Sequence, residues 1–370
     1  MKRYELELEE RGPVLYKGLQ RDINAAIDRG VKHLKGLAQE DGSYKPHGKY
    51  DVGTTALAML TLCACGVPRT DPVVEAGLNY VFARSPRKTY ERAVALMAIE
   101  QAYTPPGESH RSRAAELRRD LPDNRRRHCA GLAAALERDA IAPGAWAYQA
   151  HPGGRYIVHP DSSNTQYAVL GLRAAARMDI PVKVQTWEGV VRYFEQVRER
   201  KAPRATVSLV REGAVQPTEH RVRAAAGYRY STTRPHAWAS MTSAGIASLA
   251  IAREQLLHKR MLPPKLATRI GHLILGGWAW LDRHWAMDRH ALHPHGQWYY
   301  YYLYSLERAA ILDGVKRVGD KDWYREGAAQ LLARQKESGS WDDKEKEQIT
   351  KTCFALLFLR RATAPVVLTR

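Results

Sequence analysis

Three acidic residues stand where strongly apolar segments begin, and their carboxyl groups could donate protons. They are Asp51, Glu91 and Asp161. A carboxyl group shielded from water keeps its proton to higher pH and can then protonate a substrate. Asp and Ser are also usual helix N-caps, so capping alone is the simpler interpretation of Asp51 and Ser163. We therefore take the three acids as candidate catalytic residues, with a structural role as the alternative.

The segment from Asp161 to Tyr167 reads Asp-Ser-Ser-Asn-Thr-Gln-Tyr and holds more polar groups than one helix cap requires. Its Asn164, Gln166 and Tyr167 are candidate ligand-binding residues, since amide and phenol groups can orient a ligand through hydrogen bonds. Trp238 stands at the start of another apolar segment and is a further candidate.

The segment from Trp278 to Tyr304 is unusually rich in Trp, Tyr and His. Dense aromatics can hold an isoprenoid chain, stack on a sugar or stabilise a cation, although they also fill helix interfaces. The candidates for ligand contact here are His293, His295, Trp298, Tyr299 and Tyr301. His293 and His295 could supply two metal ligands, but the spacing places no third, so we expect neither a metal nor a cofactor.

The elements that must position these residues form a unit that recurs about six times. Each unit has an amphipathic helix carrying glycine, a Gly-aromatic turn and a nearly all-apolar helix. The helix glycines are Gly30, Gly77, Gly131, Gly189, Gly271 and Gly327. Such a helix pair cannot bury its apolar face alone and must stack on its neighbours. All-apolar helices are typical of an inner ring and amphipathic ones of an outer ring. The sequence therefore predicts an all-α fold, an (α/α)6 toroid around a central cavity.

The Gly-aromatic turn is visible in five of the copies and absent from the second. The five turns are Gly42-Ser43-Tyr44, Gly144-Ala145-Trp146, Gly227-Tyr228, Gly296-Gln297-Trp298 and Gly339-Ser340-Trp341. No long linker-like tract interrupts the pattern, so we expect one toroid domain over residues 1–370. An irregular insertion at about 200–235 falls within the fourth copy, and its alternating residues 205–210 predict a short hairpin.

The charge of the chain favours anionic partners. Fifty-seven Lys and Arg against 39 Asp and Glu give a formal charge of +18, which attracts phosphates, nucleic acid or lipid headgroups. Nucleic acid is not expected, because the basic clusters lack interleaved aromatics and no nucleic-acid-binding motif is present. The longest apolar stretch, 56–67, is too short to span a bilayer, which leaves peripheral membrane contact open. With no signal peptide visible, we expect a cytoplasmic protein.

The last copy, Gly327 to Trp341, reads Gly-x-x-x-Leu-Leu-x-x-Gln-x-x-x-Gly-Ser-Trp and is echoed by Gln39 to Tyr44. It resembles the Gln-Trp repeat of squalene/hopene cyclases and of protein prenyltransferase beta subunits, in the terpenoid cyclase superfamily. That resemblance implies that Gln39, Tyr44, Gln335 and Trp341 clamp adjacent outer helices. It also implies a polyisoprenoid-type ligand, or its pyrophosphate, in the toroid cavity.

The catalytic motifs of the resembled family are missing. The sequence has no Asp-x-Asp-Asp proton-donor motif, and Lys351 stands where a prenyltransferase's Asp-x-Cys motif would need Asp before Cys353. Three hypotheses therefore remain. The first is an isoprenoid enzyme or binder with divergent or absent cyclase catalysis. The second is a carbohydrate-active toroid with two opposed carboxylates, and the third is a non-catalytic scaffold with a plugged cavity.

Overall fold

The computed structural model describes residues 15–46, 48, 50–104, 120–141, 144–148 and 159–362. This part of the chain contains twelve α-helices and three short β-strands. The helices are α1 (Leu15–Gly36), α2 (Asp51–Ala64), α3 (Pro72–Phe82), α4 (Thr89–Ala102), α5 (Asp123–Arg138), α6 (Ser162–Arg177), α7 (Val184–Val197), α8 (Ala239–His258), α9 (Pro264–Arg283), α10 (Tyr299–Asp313), α11 (Trp323–Arg334) and α12 (Glu345–Arg360). The strands are β1 (Ala205–Arg211), β2 (Thr218–Val222) and β3 (Val315–Val318). Among these helices, none is long and apolar enough to cross a membrane.

Six helices form a closed inner ring. Each packs on the next in the order α2, α4, α6, α8, α10 and α12, and α12 packs on α2. The other six helices pack against this ring. Helix α8 is buried on every side from Ala239 to Ala252, whereas α1 buries one face, as expected for helices that are apolar all round or on one side. The predicted all-α, α/α-toroid architecture is confirmed.

Two of the turn glycines, Gly144 and Gly339, pack closely against the backbone of an outer helix. Gly144 has φ +106° and Gly339 has φ +89°, a left-handed conformation that glycine adopts without strain. A Cβ atom at Gly144 would lie 2.5 Å from the backbone of Gly189 in α7. A Cβ atom at Gly339 would lie 2.5 Å from the carbonyl oxygen of Arg29, next to Gly30 in α1. Because backbone cannot move aside as a flexible side chain can, these two turns require glycine.

The aromatic residue of three turns ties the turn to the helices on both sides of it. Its side chain donates a hydrogen bond to a carbonyl ten residues earlier, near the end of the outer helix. These bonds run from Tyr44 to Leu34 (3.0 Å), from Trp146 to Leu136 (2.7 Å) and from Trp341 to Leu331 (2.8 Å). Its backbone N–H donates to a threonine hydroxyl of the next inner helix. The acceptors are Thr55 (3.0 Å), Thr165 (3.0 Å) and Thr352 (3.3 Å). The aromatic residue therefore joins the helices of its pair.

The predicted turn of the fifth copy, Gly296-Gln297-Trp298, differs from these three. Trp298 has φ +63° and is 55% exposed, whereas Trp146 and Trp341 are buried. It precedes α10 as the N-cap residue. The expectation that this segment repeats the turn was wrong. In the other turns the aromatic side chain is buried between helices, whereas the Trp298 side chain lies at the surface.

The segment between α7 and α8 contains the hairpin that residues 205–210 predicted. Strand β1 pairs antiparallel with β2, and also with β3, which follows α10 and was not predicted. The Asp313 carboxylate at the end of α10 accepts hydrogen bonds from Arg211 (3.1 Å), Arg253 (2.9 Å) and the Trp278 indole (3.0 Å). This buried acid attaches the small sheet to the ring.

Candidate functional site

A cavity of about 380 Å³ lies where the inner helices begin. All six inner helices contribute residues to this cavity. Tyr50, Trp238 and Trp298, which directly precede α2, α8 and α10, also line it, as do residues from loops. Its lining residues are Tyr50, Thr54, Tyr90, Tyr148, Ser163, Asn164, Tyr167, Tyr230, Arg234, Trp238, Ser240, Met241, His290, His293, Trp298, Tyr301, Thr350 and Phe354. We call it the aromatic cavity. Its volume falls in the range of roughly 300–1,000 Å³ that is typical of small-molecule sites.

Buried rings form one wall of the aromatic cavity. Tyr167 lies edge-on to Tyr90, with centroids 4.7 Å apart, and is stacked with Tyr301 at 6.1 Å. Phe354 lies 5.8 Å from Tyr301. Burial raises the pKa of Tyr90 and of Tyr167 well above the usual tyrosine value, so both phenols stay neutral. The faces of such rings carry negative potential and attract a positive charge held against them.

Asp161 is the N-cap of α6 and is 3% exposed. Its carboxylate accepts hydrogen bonds from the backbone N–H of Asn164 (2.8 Å) and from the Asn164 amide (2.9 Å). The Tyr230 side chain gives a further hydrogen bond. Burial raises the pKa of Asp161 to about 6, although these hydrogen bonds act in the opposite direction. Asp161 is therefore an acid that exchanges its proton near neutral pH, and its partners Asn164 and Tyr230 line the aromatic cavity.

Tyr230 connects Asp161 with the outside of the cavity. Its hydroxyl lies 3.2 Å from that of Tyr148, which is 53% exposed. Its ring is stacked on Trp238 with centroids 5.8 Å apart. Burial raises the pKa of both tyrosines, so each hydroxyl keeps its proton and can both donate and accept. A series of hydrogen bonds thus runs from Asp161 through Tyr230 to Tyr148.

Two stacked histidines, His290 and His293, line the side of the cavity near Trp238. Their ring centroids are 4.7 Å apart. Burial lowers the pKa of His290 to about 4 and lowers that of His293, so both rings are neutral at pH 7. His290 accepts from the backbone N–H of Ser240 (3.2 Å), and its other nitrogen lies 2.6 Å from the Gln297 carbonyl. In the described part of the chain, no three His, Cys, Asp or Glu residues are grouped to hold a metal ion.

Six of the residues proposed from sequence lie in the cavity wall. They are Asn164, Tyr167, Trp238, His293, Trp298 and Tyr301. Asp161 lies behind the wall and is hydrogen-bonded to two wall residues, Asn164 and Tyr230. The side chain of Asp51, where α2 begins, lies outside the described residues.

Four other proposed residues do not line the cavity. Glu91 faces the start of α2, with an oxygen 3.4 Å from the Gly53 nitrogen. Gln166 is fully buried and accepts hydrogen bonds from Tyr301 (2.7 Å) and Ser305 (3.3 Å). The Tyr299 hydroxyl donates to the Met287 carbonyl (2.6 Å), and His295 is exposed.

Sequence reasoning missed several lining residues of two kinds. Tyr90 and Phe354 lie within apolar segments, where a ring looks like ordinary core. Tyr148 and Tyr230 come from irregular segments that carry no periodic signal. A search for aromatic residues next to the candidate acids would have found Tyr50 and Tyr90, because they directly precede Asp51 and Glu91.

No family model matches the chain, and no curated protein matches it. A solved structure of the type II terpene cyclase MstE from Scytonema, a variant in complex with its substrate geranylgeranyl dihydroxybenzoate, is similar in fold. The likeness covers 94% of this chain and 99% of that chain, with a TM-score of 0.51 and 11% sequence identity. At this identity the comparison speaks for the fold, and the chain therefore has a terpene cyclase-like α/α-toroid fold.

Proposed function

We propose that this protein is a proton-initiated cyclase that folds an isoprenoid chain in the aromatic cavity, with Asp161 as the source of the proton. The observation that carries the proposal is the buried Asp161 carboxyl, with its pKa of about 6, bonded to Asn164 and Tyr230 in the cavity wall. At pH 7 about a tenth of such groups keep their proton. That fraction is enough to supply a general acid at neutral pH.

The proton reaches the substrate through Tyr230, because Asp161 itself is not in the wall. Tyr230 gives its hydroxyl proton to one carbon of a substrate double bond and takes the proton of Asp161 in return. The other alkene carbon becomes a tertiary carbocation, and Asp161 becomes a carboxylate. The two hydrogen bonds from Asn164 stabilise that carboxylate as it forms.

The rest of the wall suits a cation that moves along the chain. The next double bond attacks the carbocation, a ring closes and the positive charge moves on. The faces of Tyr90, Tyr167, Tyr301 and Phe354 stabilise this charge without reacting with it. Cyclisation ends when the last cation loses a proton, and the neutral imidazole of His293 is the base we assign.

The terpene cyclase-like fold supports this choice of ligand class, because the compared cyclase holds a geranylgeranyl compound. Fold alone does not assign an activity, so Asp161 remains the main argument. Catalysis here is divergent: a single buried carboxyl bonded to Asn164 takes the place of the clustered acids of the Asp-x-Asp-Asp motif.

We also infer that the Gln-Trp-like segments act as clamps between outer helices. The Gln335 amide donates to the Ala26 carbonyl of α1 (2.9 Å) and to the Gly339 carbonyl of its own turn (3.1 Å). Arg29 of α1 donates back to the Gln335 oxygen (2.5 Å). These contacts link the last outer helix to the first, where the ring must close.

The other two hypotheses have less support. A glycoside hydrolase needs two carboxyl groups facing each other across the sugar, and no described residue in the cavity wall is acidic. A scaffold toroid predicted a cavity plugged by its own side chains, whereas about 380 Å³ is open.

The test is incubation with geranylgeranyl compounds in heavy water, followed by mass spectrometry. A proton-initiated cyclisation adds one deuteron from solvent and loses one substrate proton, so the product is one mass unit heavier than an isomer formed in ordinary water. We expect this product from the wild type and from Asp343→Asn, an exposed control. Asp161→Asn should reduce its formation by about a hundredfold or more. An unlabelled cyclic product, or full activity of Asp161→Asn, would refute the proposal.

A further inference from the structure

A second cavity, of about 650 Å³, adjoins the aromatic cavity. The two share Arg234 and Trp238 as lining residues. Its other lining residues are Glu199, Lys201, Ala202, Pro203, Ala225, Pro235, His236, Ala237, Trp280, Arg283, His284, Leu292 and Pro294. The two cavities therefore lie side by side, with Arg234 and Trp238 at their boundary.

The Lys, Arg, Asp and Glu side chains that line the second cavity are mostly cationic. Lys201, Arg234 and Arg283 line it against one carboxylate, Glu199. All three cationic side chains are exposed. Within the part of the chain that the structure describes, none of the three is engaged in an ion pair or a side-chain hydrogen bond. The cavity thus has three cationic groups available for a ligand.

The single acid of the second cavity is already used by the backbone. Glu199 accepts hydrogen bonds from the N–H of Gly227 (3.1 Å) and of Ala237 (3.3 Å). Its carboxylate therefore holds together the two ends of the segment that precedes α8. The excess of positive charge attracts anions, and a guanidinium such as that of Arg234 binds carboxylate or phosphate oxygens in pairs.

Apolar groups line the same cavity beside the cations. Trp238, the buried Trp280 and the exposed Leu292 all face it. This combination fits an amphiphile, in which an apolar part lies beside an anionic end, better than a free inorganic ion.

We propose that the second cavity binds the anionic head group, a carboxylate or a diphosphate, of the isoprenoid whose chain lies in the aromatic cavity. This inference rests on the proposed function, since it assigns the other end of the same substrate. Arg234 holds the head group at the junction, and Lys201 and Arg283 neutralise its remaining charge. The head group then fixes how far the chain enters and which double bond lies near Tyr230.

The experiment is isothermal titration calorimetry with five probes: geranylgeranyl diphosphate, geranylgeranoic acid, the neutral alcohol geranylgeraniol, inorganic diphosphate and benzoate. The proteins are the wild type, Arg234→Gln, and Arg204→Gln as an exposed, neighbouring control that does not line either cavity. We expect one of the two anionic isoprenoids to bind the wild type about tenfold more tightly than the alcohol, equivalent to about 1.4 kcal/mol. Arg234→Gln should remove that difference in affinity, and Arg204→Gln should keep it. Added salt should weaken the binding of the anionic isoprenoid but not that of the alcohol. The tighter anion identifies the head group.

The remaining outcomes separate the two proposals. Equal binding of alcohol and anions, or an equal loss for all of them in Arg234→Gln, overturns the head-group site and leaves the isoprenoid cavity standing. Binding of inorganic diphosphate or benzoate alone, lost in Arg234→Gln, without binding of any isoprenoid, keeps the anion site and refutes the isoprenoid function. Absence of binding by all five probes refutes both.

Discussion

Asp161 and Asn164 are joined by two hydrogen bonds at the first turn of α6, one to each carboxylate oxygen. The bonds measure 2.8 Å from the Asn164 backbone and 2.9 Å from its side-chain amide. Hydrogen bonds of this kind lower the pKa of a carboxyl, yet burial has the larger effect at Asp161 and the pKa is about 6. The helix cap and the candidate acid are therefore the same residue, and the two interpretations of Asp161 do not exclude each other.

Asp161 should make stability fall as pH rises through the range from about 4 to 6. Its folded-state pKa of about 6 lies above the ordinary value of 3.8, so the folded protein binds more protons than the unfolded chain in that window. The linked loss is about 3 kcal/mol by pH 7. Asn caps helices as well as Asp does, so Asp161→Asn should unfold with a free energy that lacks this pH dependence. Chemical denaturation of the wild type and of Asp161→Asn at pH 4, 5, 6 and 7 measures both free energies of unfolding. Identical pH profiles for the two proteins would contradict this prediction.

Tyr230→Phe should slow the reaction and raise the pKa of Asp161, while leaving the Asp161 carboxyl in place. The Tyr230 hydrogen bond lowers the pKa of Asp161, so its loss should raise that pKa and move the alkaline limb of the pH–rate profile upward. The maximum rate should fall, because the proposed route through the hydroxyl is gone. Tyr148→Phe, which removes only the hydroxyl 3.2 Å from Tyr230, serves as the matched control with a smaller effect. An unchanged profile in Tyr230→Phe would argue against the relay.

Trp341→Ala and Trp298→Ala should differ strongly in stability. Trp341 is 2% exposed and donates to the Leu331 carbonyl at 2.8 Å, whereas Trp298 is 55% exposed. Truncating a fully buried Trp costs about 3 to 5 kcal/mol, and we expect less than about 1 kcal/mol for Trp298. Thermal unfolding compares the two, and similar melting temperatures would contradict the clamp assigned to Trp341.

Gly339→Ala should be more destabilising than Gly296→Ala, although both glycines have positive φ values of 89° and 61°. The left-handed backbone costs an L-residue about 1 to 2 kcal/mol at either position. Only at Gly339 does the new Cβ meet backbone, at 2.5 Å from the Arg29 carbonyl oxygen, while open space surrounds Gly296. We expect a total of about 3 kcal/mol or more at Gly339. Equal losses in denaturant titration would show that the turn does not pack as tightly as described.

The sequence by itself determined the ring and the end of it that carries the candidate site. The glycine spacing and the contrast between apolar and amphipathic segments predicted paired helices in two layers, because helix periodicity records which faces are buried. The polar residues at the starts of the apolar segments marked the cavity end, since those starts converge in a toroid. Asp161, Asn164 and Tyr167 were identified in this way.

Only the tertiary structure decided which side chains line the cavity. An inner helix is apolar on every side, so its sequence carries no record of its rotation about its own axis. Gln166 and Tyr167 are neighbours in α6, yet Tyr167 lines the cavity and Gln166 is bonded to Tyr301 and Ser305. Tyr230 hydrogen-bonds to Asp161 although the two are 69 positions apart in the sequence and an irregular segment lies between them. Such a contact depends on how the chain packs after α7, and no local pattern encodes it.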